Sequence, residues 1–157
     1  MLVSIIVFFC AIIYANFIEW ILHRYILHGF GKHKQSVWSF HWGEHHRACR
    51  KFNNQDDSYK SIALKWNSKI KEILSLLLLC LIHFPIVLLS LTFFSGLVFH
   101  MCLYFYLHKK CHTNPEWGYR YLRWHYDHHL GKDQDCNWCV TFPLWDYILY
   151  TRKKNNF

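Results

Sequence analysis

Ten of the 13 histidines fall into four short clusters, which read HRYILH, HWGEHH, HKKCH and HYDHH. Imidazole is the commonest side-chain metal ligand, and residues three or four apart share one face of a helix. A helix that carries such a cluster can therefore direct two or three nitrogens at one point. We predict a polynuclear metal site with the ligands His23, His28, His41, His45, His46, His108, His112, His125, His128 and His129. Ten nitrogens are enough to give two ions four or five ligands each.

The first cluster has a wider spacing than the others. His23 and His28 are five residues apart, which is about 140° around an ideal α-helix. Either the helix distorts between them, or His28 serves a different ion from His23.

The ligand set is almost entirely imidazole, whereas soluble di-iron helical bundles use mainly carboxylates. Imidazole binds iron, zinc, copper and nickel, so the ligand type leaves the metal open. Glu44 and Asp127 lie inside two clusters and could orient imidazoles through the outer ring nitrogen, or be solvated helix charges. Glu19 lies one helical turn before His23, where we expect it to accept a hydrogen bond from that ring rather than to be an interfacial acid.

Two apolar blocks indicate membrane spans. The chain is 53% hydrophobic and 20% aromatic, which is unusual for a soluble protein. Residues 2–18 carry no charge, and residues 73–107 form a second uncharged block of 35 residues. A helix needs about 20 apolar residues to cross a bilayer. Neither block has the flanking features of a secretory signal, so we predict an integral membrane protein of the all-α class.

Lysine and arginine stand at the ends of these blocks. All 18 lie outside them, and the net charge is +8. Cytosolic loops of membrane proteins carry such an excess of basic residues, which also contact anionic headgroups. The distribution therefore favours a basic cytosolic surface and argues against a nucleic acid partner.

The order of clusters and blocks constrains the topology. Two clusters precede the long block and two follow it, so the clusters can meet only if that block crosses the membrane an even number of times. We predict a helical hairpin with arms near residues 71–91 and 94–112 and a turn at Ser95 and Gly96. With a first span over residues 2–28, this gives three transmembrane helices, an outer N-terminus and a cytosolic helical cap that carries the clusters. We expect residues 1–157 to form a single domain.

Further helices are expected outside the spans. Residues 39–51 and 119–130 should be cap helices that carry the second and fourth clusters, and Ile62, Ala63, Trp66, Ile70 and Ile73 should line an interfacial helix that leads into the hairpin. His100 and Tyr104 continue the stripe of His108 and His112 towards the bilayer. They either line a substrate channel or bond a neighbouring helix.

The four clusters, in this order, resemble the histidine boxes of the fatty acid hydroxylase/sterol desaturase superfamily. The segment NWCVTFPLWDYILYT, residues 137–151, is similar to the closing segment of that superfamily. The matching residues are Asn137, Pro143, Leu144, Trp145, Asp146 and Thr151, and the resemblance covers residues 19–151. Cys139 and Tyr150 stand where glycines are usual, which predicts a local difference in the backbone. Bacterial carotenoid hydroxylases are a related branch that the motif HRYILHG also resembles.

The resemblance implies two irons that activate O2 and remove hydrogen from an unactivated C–H bond of a membrane lipid acyl chain. It also implies an external electron donor, of the ferredoxin or cytochrome type with its reductase, because no haem-binding or flavin-binding segment fits in the remaining sequence. Zinc can displace iron during purification, since the affinity order favours it. Asn137, in the matched closing segment, is a further candidate for supporting the ligands.

Other functions stay open at this point. A desaturase or a carotenoid β-ring hydroxylase would use the same metal centre. A non-redox zinc protein or a metal transporter is more remote, because transporters hold their ligands near the bilayer midplane, whereas these clusters lie at the predicted cytosolic ends of the spans.

Overall fold

The computed structural model describes residues 1–62 and 65–155, which contain seven α-helices and no β-strand. Three helical segments are long and apolar enough to cross a membrane: Leu2–Phe30, Ser68–Leu88 and Leu91–Thr113. The sequence-based prediction of an all-α protein with one span and a hairpin is therefore confirmed. The helices are α1 (Leu2–Ile21), α2 (Arg47–Lys51), α3 (Ser68–His83), α4 (Leu91–Thr113), α5 (Pro115–Tyr121), α6 (Arg123–Leu130) and α7 (Leu144–Ile148).

Two π-helical stretches extend these helices. α1 continues without a break as the π-helix Leu22–Phe30, and the π-helix His41–His46 runs directly into α2. Residues 39–51 are thus helical throughout, as predicted. A π-helix is rare and is frequently found at functional sites, and both stretches here carry histidine clusters.

The hairpin turns earlier than predicted. α3 gives way to a 3-10 helix, Phe84–Leu88, at Pro85, which has no N–H to continue an α-helix. Ser90 caps the N-terminus of α4, because its Oγ accepts a hydrogen bond from the N–H of Phe93 (3.1 Å). The prediction of a turn at Ser95 and Gly96 is wrong: both lie inside α4, and the Ser95 hydroxyl donates to the carbonyl of Leu91 (2.8 Å).

Gly96 is instead a packing position. α1 packs more extensively against α4 than any other pair of elements does. A Cβ at Gly96 would lie 2.7 Å from Ala11 Cβ and 2.8 Å from the Phe8 carbonyl oxygen. Small residues let transmembrane backbones approach closely, and Ala11, Ala15 and Leu97 form the buried core of this contact.

The prediction of an interfacial helix before the hairpin is wrong for those of its residues before α3 that the structure describes. Ile62 and Trp66 are exposed and lie outside any helix, while Ala63 falls outside the described residues. Asn67 sets the start of α3, because its backbone is extended and its side chain accepts a hydrogen bond from the N–H of Ile70 (3.2 Å).

The fourth cluster lies on a shorter helix than predicted. The expected helix over residues 119–130 is broken at Leu122, which has φ −122° and ψ 46°. Leu122 is itself buried, and the break reorients α6 relative to α5 so that residues 125–129 of α6 are all buried.

The closing segment holds the cap against α1. The buried carboxylate of Asp146 accepts hydrogen bonds from the N–H groups of Trp138 (2.8 Å) and Cys139 (2.9 Å), and Trp145 Nε1 donates to the Ile13 carbonyl (3.1 Å). Tyr150 has φ 53°, a conformation that favours glycine, and its side chain is 93% exposed. The backbone at Tyr150 therefore keeps the glycine-like conformation, contrary to the expected difference, while Cys139 has an ordinary negative φ.

Replacing Gly96 with Ala should destabilise the protein, because the new Cβ overlaps Ala11 and the backbone of Phe8. We expect the free energy of unfolding to fall by about 1–3 kcal/mol, measured as a lower unfolding temperature in detergent micelles. Gly43→Ala is the matched control, since nothing lies within 4 Å of a Cβ at that position. Equal stability of the two variants would contradict this account of the α1–α4 contact.

Candidate metal centre

The ten clustered histidines are all buried, each with at most 3% of its surface exposed. They converge in two groups. The first group consists of His23, His28, His41, His46 and His128. The second group consists of His45, His108, His112, His125 and His129, which occur in two overlapping sets of possible ligands; one of these sets also includes Cys49. The ring centroids of His46 and His129 are 4.3 Å apart, so the two groups are in direct contact.

The spacing of the inner nitrogens fits shared ions. Ligand nitrogens about 2.1 Å from one ion and at right angles to each other are about 3.0 Å apart. Four Nε2–Nε2 distances in the first group lie between 3.0 and 3.2 Å: His23–His41, His28–His46, His41–His46 and His46–His128. In the second group, His125 Nε2 lies 3.0 Å from His112 Nε2 and 3.1 Å from His129 Nε2.

The π-helices bring together ligands that are five residues apart. A π-helix closes its hydrogen bonds between residues i and i+5, so side chains at that spacing come to the same side. His23 and His28 lie in one π-helix, and His41 and His46 are the ends of the other. All four belong to the first group. Of the two readings of the first cluster, the structure therefore shows the distorted helix.

Ordinary α-helical spacing produces most of the second group. His108 and His112 are four residues apart on α4, and His125 and His129 are four apart on α6. His128, the neighbour of His129, falls on another part of the helix surface and belongs to the first group. α6 thus contributes to both groups.

Backbone carbonyls hold several rings by their outer nitrogens. Three histidines donate in this way: His23 Nδ1 to Trp138 (2.5 Å), His128 Nδ1 to Cys136 (2.6 Å) and His112 Nδ1 to Asn54 (2.9 Å). With the ring proton on Nδ1, the inner Nε2 carries a lone pair. This is the usual arrangement around metal-bound imidazoles.

Carboxylates contact three more rings. His45 Nδ1 donates to Asp56 (2.8 Å) and His28 Nδ1 donates to Asp135 (3.1 Å), whereas His108 Nδ1 lies 2.7 Å from Glu72 without hydrogen-bond geometry. None of these acids was predicted from the sequence. Glu72 did leave a signal, since an acid directly before the apolar residues 73–107 is expensive unless it has a partner. Tyr59 OH also donates to it.

Residues 8–151 match the family model for fatty acid hydroxylase. The chain belongs to the fatty acid hydroxylase family. The match includes all four histidine clusters and the closing segment, and so confirms the resemblance seen in the sequence. No curated protein and no solved structure matches the chain. Members of the family are metal-dependent oxidoreductases, which agrees with the histidine groups of this chain.

Glu19 has a different partner from the one expected. His23 Nδ1 bonds the carbonyl of Trp138, while Glu19 lies 3.0 Å from His100 Nε2 and accepts from Thr141 Oγ1 (2.7 Å). Glu19 therefore joins α1, α4 and the closing segment. Its distance in the sequence from His100 and Thr141 explains why spacing alone pointed to His23.

The other predicted supporting residues also pair away from the rings. Glu44 contacts Lys71, Asp127 contacts Arg123 Nε (2.8 Å), and Asn137 accepts from the Lys153 N–H (2.7 Å) and donates to the Lys153 carbonyl (2.9 Å). Asp127 and Asn137 thus tie the residues after α7 to the cap, because Asp127 also lies 3.5 Å from Arg152. Nothing in these contacts orients an imidazole of either group.

Burial keeps the cap histidines neutral. Desolvation, followed by the proximity of other histidines, holds the pKa values of His41, His46, His125 and His129 well below the usual value. Desolvation also lowers the pKa of His128 to about 3. Neutral rings present lone pairs, as metal ligands must.

Two buried nitrogens show the fit to a metal most directly. His45 Nε2 and His108 Nε2 have no hydrogen-bond partner within residues 1–62 and 65–155. A buried polar atom left unpaired costs about 1–3 kcal/mol. Both atoms belong to the second group, where a bound ion would satisfy them, so the residues present fit a metal.

A cavity of about 250 Å³ leads from the spans to the histidine groups. Its wall consists mainly of apolar residues of α1, α3 and α4, and four ligand candidates reach it: His23, His41, His45 and His108. His100 and Tyr104, the predicted channel residues, line the same cavity. Tyr104 also stacks on His108, with ring centroids 5.5 Å apart. The cavity thus connects the bilayer region to both groups.

Acid should destabilise the metal-free protein. An unfolded histidine has a pKa of about 6.5, whereas that of folded His128 is about 3. Between these values the unfolded chain binds more protons, so the free energy of unfolding falls as the pH falls. After chelation, the unfolding temperature should be level above about pH 7 and decline below about pH 6.5. His33→Ala, at an exposed histidine outside both groups, is the control and should give the same profile. An unfolding temperature that is unchanged at pH 5 would contradict the burial of neutral rings.

Proposed function

We propose that this hydroxylase binds two iron ions and uses O2 to hydroxylate the acyl chain of a membrane lipid. The observation that carries the proposal is the position of two groups of buried, neutral imidazoles at the end of an apolar cavity between transmembrane helices. Iron bound there would supply O2 activation: one oxygen atom enters a C–H bond, and the other leaves as water after two electrons and two protons are consumed.

The ten histidines would hold the ions, five in each group. The outer partners Asp56 and Asp135 would keep the rings of His45 and His28 oriented, with the proton on Nδ1. Zinc would fit the same nitrogens, and the affinity order favours it over Fe(II). A purified protein that contains zinc would therefore be compatible with an iron enzyme.

The cavity would position the lipid and exclude water. Its apolar wall accepts a hydrocarbon chain from the bilayer, and the carbon to be oxidised would lie at the end where His41, His45 and His108 are found. His100 and Tyr104 would shape the wall along the chain. Glu19 fixes the ring of His100 there through their 3.0 Å contact.

The active site would face the cytosol. Basic residues concentrate in the cap and at the adjoining span ends, as the positive-inside rule predicts for cytosolic segments. The two electrons would come from a separate ferredoxin-type or cytochrome-type protein with its reductase.

Loss of a ligand from one group should remove about one of the two ions. We expect His128→Ala to empty the first group and His112→Ala the second, because each ring is buried with its outer nitrogen already bonded. The double variant should bind almost no metal. Iron per chain, measured by mass spectrometry after reconstitution, tests this, and His33→Ala is the control. Full metal content in both single variants would reject the assignment.

The reaction itself is tested with isotopically heavy O2. Iron-loaded protein in lipid nanodiscs, supplied with an electron-transfer system and a membrane lipid extract, should place one heavy oxygen atom in a lipid hydroxyl group. The His112→Ala/His128→Ala double variant should form no product.

Other products would point to the alternatives. A new double bond without heavy oxygen indicates a desaturase, and a labelled ring hydroxyl indicates a carotenoid hydroxylase. Product formation that is equally fast without O2 would reject the oxygenase, whereas the absence of any oxidised lipid would favour a non-redox zinc protein.

A further inference from the structure

His46 lies at a part of the metal centre that the lipid cavity does not reach. It is not among the residues that line the cavity, whereas His23, His41 and His45 are. Trp42, which is half-buried, stacks on the His46 ring with centroids 5.2 Å apart and planes 26° apart. His46 is therefore covered on this side by one aromatic ring that is itself partly open to solvent.

Gln134 completes this cover. It is half-buried, and its side-chain amide lies 2.9 Å from His46 Nδ1 and 3.0 Å from the His129 carbonyl oxygen. One partly exposed side chain thus contacts a ring of the first group and the backbone of the second.

An open depression lies beside Trp42. Its lining includes His28, Trp138, Arg24 and Lys32. Lys32 Nζ joins the two features, since it lies 4.7 Å from the Trp42 ring centroid and 2.6 Å from Asp135. The depression brings solvent to a second ring of the first group.

The surroundings of these residues are basic. Arg50 donates to the carbonyl oxygens of His129 and Gly131 (both 3.2 Å), next to Gln134. The cations in this region are Arg24, Lys32, Arg50, Lys132 and Lys153, and the anions are Asp133 and Asp135. The excess of positive charge is complementary to an acidic protein.

We propose that Trp42, Gln134 and the surrounding Arg24, Lys32, Arg50 and Lys132 form a donor face, on which an acidic one-electron redox protein docks. This proposal rests on the proposed oxygenase function. Each docking event delivers one electron through the stacked Trp42 and His46 rings. Two such electrons, with two protons, O2 and one C–H bond, yield one alcohol and one water. The lipid and the donor therefore reach the metal centre from different sides, and neither has to leave for the other to act.

Docking is tested by binding, without turnover. The probes are an acidic plant-type [2Fe–2S] ferredoxin and an acidic cytochrome-type haem domain, titrated onto the full chain in neutral-lipid nanodiscs. The double variant Lys32→Gln/Lys132→Glu should lower the affinity for whichever probe binds the wild type. The expected loss is about tenfold at low salt and much smaller at high salt. Lys109→Glu, at an exposed lysine near the end of α4, is the control. Unchanged affinity in the double variant, or no binding of either probe to the wild type, would overturn the proposal.

The electron path is tested by reduction rates. Trp42→Leu should retain its metal, yet at saturating probe concentration it should be reduced several-fold more slowly by the reduced probe. Dithionite, a small reductant that needs no docking face, should reduce the variant and the wild type alike. Trp42→Phe keeps an aromatic ring and should recover most of the rate, and Trp66→Leu, at an exposed tryptophan away from the rings, should change nothing.

The outcomes separate the two proposals. A Trp42→Leu variant that the reduced probe reduces at the wild-type rate rejects the path and leaves the oxygenase function intact. Failure of the heavy-oxygen experiment rejects the oxygenase function, while the binding titration still decides whether the donor face exists.

Discussion

Ten imidazoles must be buried without charge, and their inner nitrogens must point at two places; the rest of the structure is arranged around this constraint. Desolvation makes protonated rings very unfavourable here, as the pKa of His128, about 3, illustrates. A neutral ring still has one N–H, and a buried donor needs an acceptor. Carbonyls of Cys136 and Trp138 and the carboxylates of Asp56 and Asp135 provide acceptors. The closing segment and the linker before α3 are therefore as necessary to the site as the helices that carry the ligands.

Helix geometry divides the ligands between the two groups. The π-helical spacing of five residues assembles the first group from His23 with His28 and His41 with His46. An α-helix would have rotated each second residue by about 140° and separated the members of each pair. π-helices are rare but frequent at functional sites. Here the π-helices bring histidines that are five residues apart into the same group of possible metal ligands.

The cavity between the spans exists because α3 packs only loosely against the rest of the structure. α1 and α4 approach closely at Gly96, whereas α3 packs on α4 and the cap and is little buried in the span region. The Tyr14 hydroxyl lies 3.3 Å from His83 Nε2 and bridges from α1 to α3. The space between these helices forms the cavity. The same arrangement leaves Trp42 and the basic residues around it on the cap, outside the lining of the apolar cavity.

The sequence by itself determined the three spans, the four ligand clusters, the membrane setting and the family, because apolar length and short-range spacing are local properties. It also indicated that the clusters must share one side of the membrane. Only the tertiary structure decided the turn at Ser90, the division of the ligands, and the partners of the rings. Glu19 shows why: its contacts with His100 and Thr141 join residues 81 and 122 positions away. Backbone carbonyls, which hold His23 and His128, are present at every residue and so leave no mark in a sequence.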